Sequence, residues 1–357
     1  MCTWRGSYLE SDEFYLRASH ILSCIQTPVN IFGTFIIVFK TPKNMEKVKI
    51  SILLMHLTCF WLDIYFNILS IPYMIHSAAA GYPLGILFHL GLPTDIQIYF
   101  GLVSVFFFIP AIILFFEERY NRLVRSDADS HTRFLKRVAH FGIMYLCAII
   151  GTLVVFFGAT TDSDETKIKM IERFPCLPPE IITKPGFLIL TEDTLALVVI
   201  LLLLTFFTFF QLGYFFGMTA NFLYTTKTMS ANTAKLQKQL FQRLTIQIVL
   251  PLFAVFIPCI YLNGSAAFHY LDMIFINFSN LFISTHGLLS CVTTILVHKA
   301  YRDAVFDIFG AGCLIKKNLS SRSYVTGTVR NSWKPQTNGN SQKQPENYQM
   351  AGQTSVL

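Results

Sequence analysis

Formal charge is scarce in this chain. Lys, Arg, Asp and Glu make up 14% of the 357 residues, against about 25% in an ordinary soluble domain. With 53% apolar residues, that scarcity excludes a nucleic-acid binder and a disordered protein. Also missing are a phosphate-binding glycine loop, a nucleophile beside its base and a His-x-x-x-His pair. Catalysis and cofactor binding therefore have no residues to rest on, and no cofactor is expected. No internal repeat is visible, which weighs against an inverted-repeat transporter. No charged segment followed by a short apolar run and a small-residue cleavage site precedes the first long apolar run, so no cleaved signal peptide is expected.

The charge that is present is segregated. Seven stretches of 19 to 25 residues hold a single formal charge between them: Ile21 to Phe39, Ile50 to Pro72, Ile96 to Phe116, Val138 to Ala159, Leu195 to Gly217, Leu244 to Leu262 and Met273 to Val297. About 20 apolar residues in a helix cross a hydrocarbon core roughly 30 Å thick. None of the stretches shows period-2 alternation, and a helix satisfies its own backbone in lipid, so each is expected to span as a helix. The connections 40 to 49, 117 to 137 and 218 to 243 hold four, six and four Lys and Arg residues, against zero, four and zero in 73 to 95, 159 to 193 and 264 to 271. Basic loops stay in the cytoplasm. The expected fold is thus an all-α membrane protein, a seven-transmembrane helix bundle with its N-terminus outside and its C-terminus inside.

Four regions follow. Residues 1–20 form an extracellular segment and 21–297 the bundle. Residues 298–310 form an amphipathic helix on the inner leaflet, with Tyr301, Val305, Ile308 and Phe309 on one face and Arg302, Asp303 and Asp307 on the other. Residues 311–357, rich in Ser, Thr, Asn, Gln and Lys, bury too little to offset ordering entropy and read as a disordered cytoplasmic tail.

Of eight cysteines, only Cys2 and Cys176 lie outside on this topology. They read as a bridge between the N-terminal segment and the second outer loop, with two free thiols as the alternative. Cys313, followed by Lys316 and Lys317, is a candidate for palmitoylation or a plain thiol. Asn263-Gly-Ser265 matches a glycosylation sequon at the membrane edge, where an unmodified helix end is favoured. The terminus Thr354-Ser355-Val356-Leu357 fits a PDZ ligand through Ser355 and Leu357, although so short a pattern is more often a solvated end.

Asp63 is the one charge in the spans. It must face the bundle interior to be paired. His56 lies two turns below it, and Asn280 and His286 of the seventh span reach the same depth, forming a polar seam. The seam reads either as a cation- or proton-sensitive switch or as a hydrogen-bond network holding two helices together. At the inner end of the third span, Glu117-Glu118-Arg119-Tyr120 reads either as an interface anchor or as an acid-Arg-aromatic switch for a G protein. Pro251 and Pro258 invite kinks in the sixth span, whose inner end could then swing. A ligand pocket is expected between spans three, five, six and seven, with Tyr99, Phe209, Tyr261 and Asn277 as lining, a set suited to an apolar or weakly polar molecule.

These residues also carry a resemblance. Lys40-Thr41-Pro42-Lys43 with Met45 and Val48-Lys49, Pro72-Tyr73 followed by Ala80-Gly81-Tyr82-Pro83-Leu84-Gly85, Phe116-Glu117 with Arg119-Tyr120, Ile257-Pro258, and His286-Gly287 with Val297-His298-Lys299 and Tyr301-Arg302 resemble the nematode serpentine receptor class H chemoreceptors from about Tyr8 to Phe309. The resemblance implies a chemosensory G-protein-coupled receptor on neuronal cilia, whose partners are a small-molecule ligand, a heterotrimeric G protein and membrane lipids, with a PDZ scaffold as a further candidate from the terminus. The family typically shows Asn before the Arg of its third-span motif, where this chain has Glu118, which leaves the resting partner of Arg119 open. Two rival classes are a zinc-dependent intramembrane lipid hydrolase, with His56, Asp63 and His286 as the three ligands, and a ligand-gated channel. The first lacks a paired-His motif and the second a repeated polar lining.

Overall fold

A computed structural model describes residues 2–159, 164–226 and 230–310. In chain order it comprises β1 (Cys2–Thr3), α1 (Asp12–Lys40), α2 (Glu46–Ile64), β2 (Pro72–Ile75), β3 (Ala80–Pro83), α3 (Ile86–His89), α4 (Thr94–Val124), α5 (His131–Ala159), α6 (Asp164–Arg173), β4 (Leu188–Ile189), α7 (Thr194–Thr225), α8 (Ala231–Ala267), β5 (Leu271–Asp272), α9 (Met273–Ile283), α10 (His286–Val297) and α11 (Lys299–Ile308). Seven segments are long and apolar enough to cross a membrane, the seventh being α9 and α10 in sequence. They form a seven-helix bundle.

Several spans begin where a side chain takes over an orphaned backbone donor. Ser11 accepts from Phe14 N at the start of α1, Asp193 from Ala196 N at the start of α7, and Ser230 from Thr233 N at the start of α8. The first helix begins at Asp12 rather than Ile21, because the Ser11 cap lies beyond the apolar run that marked the span. At the far end of α2 the helix loosens into a π turn over Tyr65–Leu69, and Ile71 then takes a positive φ of 42° to turn the chain into β2.

The bundle has two apolar centres. One, at the end holding the N-terminus, gathers Tyr15, Tyr73, Ile75, Tyr82, Phe174 and Leu271. There β2 and β3 pair as a hairpin with Tyr73 opposite Tyr82, β4 adds to β3, and β1 lies parallel to β5. The second, at the end holding α11, gathers Ile37, Ile52, Ile113, Phe116, Leu244 and Tyr301. α4 packs against α2, α5 and α7, and α10 packs against α1, α2 and α8. The outer surface of α7 is a field of exposed Leu and Phe, including Leu203, Phe206 and Phe210, as lipid contact requires.

α11 crosses from the compact unit of residues 1–305 into the remainder that begins at Phe306. Tyr301 does not lie on an apolar surface stripe. It is fully buried, and its hydroxyl is 2.9 Å from Thr41 Oγ1.

Candidate functional site: a cavity above a buried carboxylate

A cavity of about 410 Å³ opens among the spans, within the size range of small-molecule sites. Its walls are apolar: Leu102, Val105 and Phe108 from α4, Leu197 and Leu201 from α7, Val255 and Leu262 from α8. Polar residues reach it at a few points, among them Asp63, His76, Gln97, Asn280 and His286.

Asp63 is held from α1. Asn30 Nδ2 donates to Asp63 Oδ2 at 2.9 Å, and a Cβ on Gly287 would overlap the same carboxylate, so the backbone of α10 presses directly on it. Asp63 Oδ1 lies 3.7 Å from His286 Nδ1 and has no hydrogen-bond partner among the described residues. His286 Nδ1 donates instead to Ile283 O at 2.9 Å, which leaves Nε2 of the neutral ring as an acceptor, also unpartnered. His56 turns away: its Nε2 donates to Asn30 O at 3.0 Å and sits 3.0 Å from Thr34 Oγ1. Asn280 Oδ1 accepts from His76 Nε2 at 3.0 Å.

The expected seam is therefore divided. Asp63 and His286 meet, His56 joins α1, and Asn280 joins the hairpin turn. Asn30, which holds Asp63, and the cavity residues His76 and Gln97 are further polar groups of the site. Asn30 and Gln97 were visible as amides at the edge of or within apolar spans, while His76 sits in a connection that carries no periodic signal. Because His56 points elsewhere, the three residues weighed as zinc ligands do not converge. Among the described residues, no three of His, Cys, Asp and Glu are grouped to hold a metal.

At the other end of α4, Glu117 and Glu118 are both engaged by α5. Arg133 Nη2 donates to Glu117 at 2.7 Å and Arg137 Nε donates to the same carboxylate at 2.8 Å. Glu118 takes Arg137 and, along its own helix, Arg122. Glu118, the acid that left the resting partner of Arg119 open, therefore bonds to arginines other than Arg119. Side chains one residue apart point to different helix faces, and positions three and four apart meet. Arg119 is buried with Nη2 unpartnered among the described residues. Tyr120 packs its ring on Tyr214 and Phe215. His298, just past α10, donates from Nε2 to Gln247 Oε1 at 3.0 Å. Burial, with the positive charges of Arg243 and Arg119, pulls its imidazole down to about 4.

Residues 10–311 match the family model described as the serpentine type 7TM GPCR chemoreceptor Srh. The chain belongs to this family. Serpentine receptor class H-72 of Caenorhabditis elegans is 24% identical over 309 residues, which cover 85% of this chain and 87% of that protein. As an Srh chemoreceptor the chain is a multi-pass membrane protein of the seven-helix signalling class.

The receptor's cavity is not lined by the four residues first expected there. Phe209 packs on Phe256 and Tyr261 on Phe275, Tyr99 stands against Phe100, and Asn277 Nδ2 donates to Leu9 O at 3.0 Å, tying α9 to the N-terminal segment. The reason is helix rotation. The faces that reach the cavity carry Gln97, Gly101, Val105 and Phe108 on α4 and Val255, Cys259, Leu262 and Ala266 on α8, whereas Tyr99 and Tyr261 lie off these stripes. The span set also widens to include α2, and with it the Asp63 carboxylate, a polar group beyond the lining expected for an apolar or weakly polar molecule. Asn263 donates from Nδ2 to Cys259 O within α8, consistent with an unmodified helix end. Pro258 is buried in the unbroken α8.

Cys2 and Cys176 are bonded, with Cα atoms 5.8 Å apart. Beside the bridge, Arg5 Nη2 donates to Asp272 Oδ2 at 2.8 Å, and the Arg5 backbone N donates to Glu10 at 2.9 Å. Burial pushes the Asp272 carboxyl up, but the Arg5 guanidinium and the Phe275 backbone N–H outweigh it and hold the group below its usual range. Cys313, Ser355 and Leu357 lie outside the described residues.

Proposed function

We propose that this Srh protein is a chemosensory receptor that takes a small molecule into the cavity and activates a heterotrimeric G protein at the Glu117–Tyr120 end of α4. It is not an enzyme on this reading. The observation that carries it is the course of α4: one helix lines the cavity with Gln97 to Phe108 and presents at its other end the buried Arg119, whose Nη2 has no hydrogen-bond partner among the described residues. A ligand that repositions α4 changes both places at once. The orientation that fits puts the N-terminus and the disulfide outside, where cysteines oxidise, and the basic ends of α5 and α8 inside. Residence in the ciliary membrane of a sensory neuron, palmitoylation at Cys313 and a PDZ scaffold on Ser355 and Leu357 belong to the same reading.

The test is a small-molecule screen with a calcium or cyclic-nucleotide readout in cells expressing the receptor. Arg119→Ala is expected to abolish the response at normal surface level. A retained response in that variant overturns the role given to Arg119, and a response that persists in cells without G proteins overturns the coupling.

A further inference from the structure

The cavity's unpartnered atoms define the chemistry of its guest. Four of its lining side chains bury a polar atom that has no hydrogen-bond partner among the described residues: Asp63 Oδ1, His286 Nε2, Gln97 Oε1 and Asn280 Nδ2. Their roles follow from what the other atoms of the same side chains do. Gln97 Nε2 donates to Leu92 O at 2.9 Å, so its free atom is the carbonyl oxygen. His286 Nδ1 is the donor, so Nε2 accepts. Asp63 Oδ2 is taken by Asn30 and Oδ1 accepts. Asn280 alone leaves a donor, because its oxygen is taken by His76. Three acceptors face one donor, and one acceptor is a carboxylate. Unmet, each such group is unfavourable, and the carboxylate most of all.

We propose that the natural ligand is a lipophilic amine, whose ammonium N–H groups donate to Asp63 Oδ1 and His286 Nε2 while its hydrocarbon part fills the apolar space between α4, α7 and α8. This names the ligand class for the site already read as the receptor pocket, and it rests on that reading. An anionic guest would meet the carboxylate, and a pure hydrocarbon would leave all four groups unmet. An alcohol supplies one donor and no compensating charge. The ammonium also neutralises the single charge in this part of the bundle, which favours its retention in a low-dielectric setting.

The experiment uses purified full-length receptor in lipid nanodiscs and follows thermal unfolding with four probes of one chain length: octylamine, octan-1-ol, octanoate and octyltrimethylammonium. Octylamine is expected to raise the unfolding temperature most, octan-1-ol less, and the other two not at all. Asp63→Asn is expected to weaken octylamine about tenfold or more, the scale of one charge-assisted hydrogen bond, and to leave octan-1-ol within about twofold. The probe series on the native sequence stands by itself should that variant fold poorly. Stabilisation by octanoate, equal stabilisation by octyltrimethylammonium, no stabilisation by any probe, or an unchanged octylamine affinity in a folded Asp63→Asn each overturns the proposal. So does an Asp63-dependent stabilisation by Na⁺ alone that octylamine cannot displace, which would assign the site to an inorganic cation. Amine binding that never activates a G protein upholds the ligand class and refutes the receptor reading. Strong activation by a molecule without a donor group does the reverse.

Discussion

The N-terminal segment and the α4–α5 junction hold their buried polar groups differently. Around the N-terminal segment, several buried groups have fixed partners, while the cavity beside it leaves Gln97 Oε1 and Asn280 Nδ2 without one among the described residues. Glu10 accepts from the backbone N–H groups of Arg5 and Ser7, and Tyr73 OH donates to Glu10 O. Ser77 reaches Ser265 and Tyr270 O, and the disulfide ties the N-terminal strand to the segment after α6. At the other end, two acids on α4 are shared among three arginines, and a fourth, Arg119, is buried without a partner for Nη2 among the described residues. Groups held by several fixed partners and a disulfide resist rearrangement. A region with more donors than its acids can hold has alternatives of similar energy, which is what a two-state switch needs.

The largest effect is expected from cutting the stapled end. Cys176→Ser should lower stability by about 2–5 kcal/mol, seen as a lower unfolding temperature and reduced surface delivery, and reduction of the native protein should reproduce it. An unchanged unfolding temperature would place the stability of that end in the sheet and Tyr73 cluster alone. Next comes Glu117→Gln, which removes the charge that Arg133 and Arg137 share. Breaking a buried pair of this kind costs on the order of 3 kcal/mol, and the freed arginines should raise basal signalling. Glu118→Gln should raise it less, since Glu118 is more open and one of its partners sits on its own helix. Equal baselines in both variants would mean that the Arg133 and Arg137 bonds to Glu117 do not hold α4 at rest.

The smallest effect should come from Arg5→Ala. The arginine is half exposed, so its loss should lower the unfolding temperature only slightly at neutral pH. Its pH dependence has a definite sign. Asp272 is held below its usual range, so the stabilisation is full above the carboxylate's unfolded value near 4 and is lost as pH falls through the lower folded value. Native and variant unfolding temperatures should therefore converge in acid. A gap that persists there would mean that Arg5 acts through packing.

How far the site was legible can be argued residue by residue. Asp63 announced itself, because a lone carboxylate in an apolar run has to face inward. Glu117 to Tyr120 announced themselves by position at a span end. Tyr99, Phe209, Tyr261 and Asn277 misled, because α4, α7 and α8 carry Phe, Leu and Ile on nearly every face and periodicity says little about which side turns to the cavity. Arg133 and Arg137 were readable only as a basic loop. That the two, one turn apart on α5, lie opposite the acid pair depends on how α4 and α5 pack.

Sequence by itself determined that this protein is a seven-helix membrane bundle with one charged residue at depth, because transfer into lipid is a property of local composition: each run of about 20 apolar residues must become a helix wherever its neighbours lie. Which atoms of that bundle are left without partners was decided only by the tertiary structure. Asn30 claims one oxygen of Asp63, Ile283 claims one nitrogen of His286, and the α5 arginines claim the acids beside Arg119. Those choices depend on the rotation and depth of each helix against the others, which packing and hydrogen-bond geometry settle together and no single stretch of sequence contains.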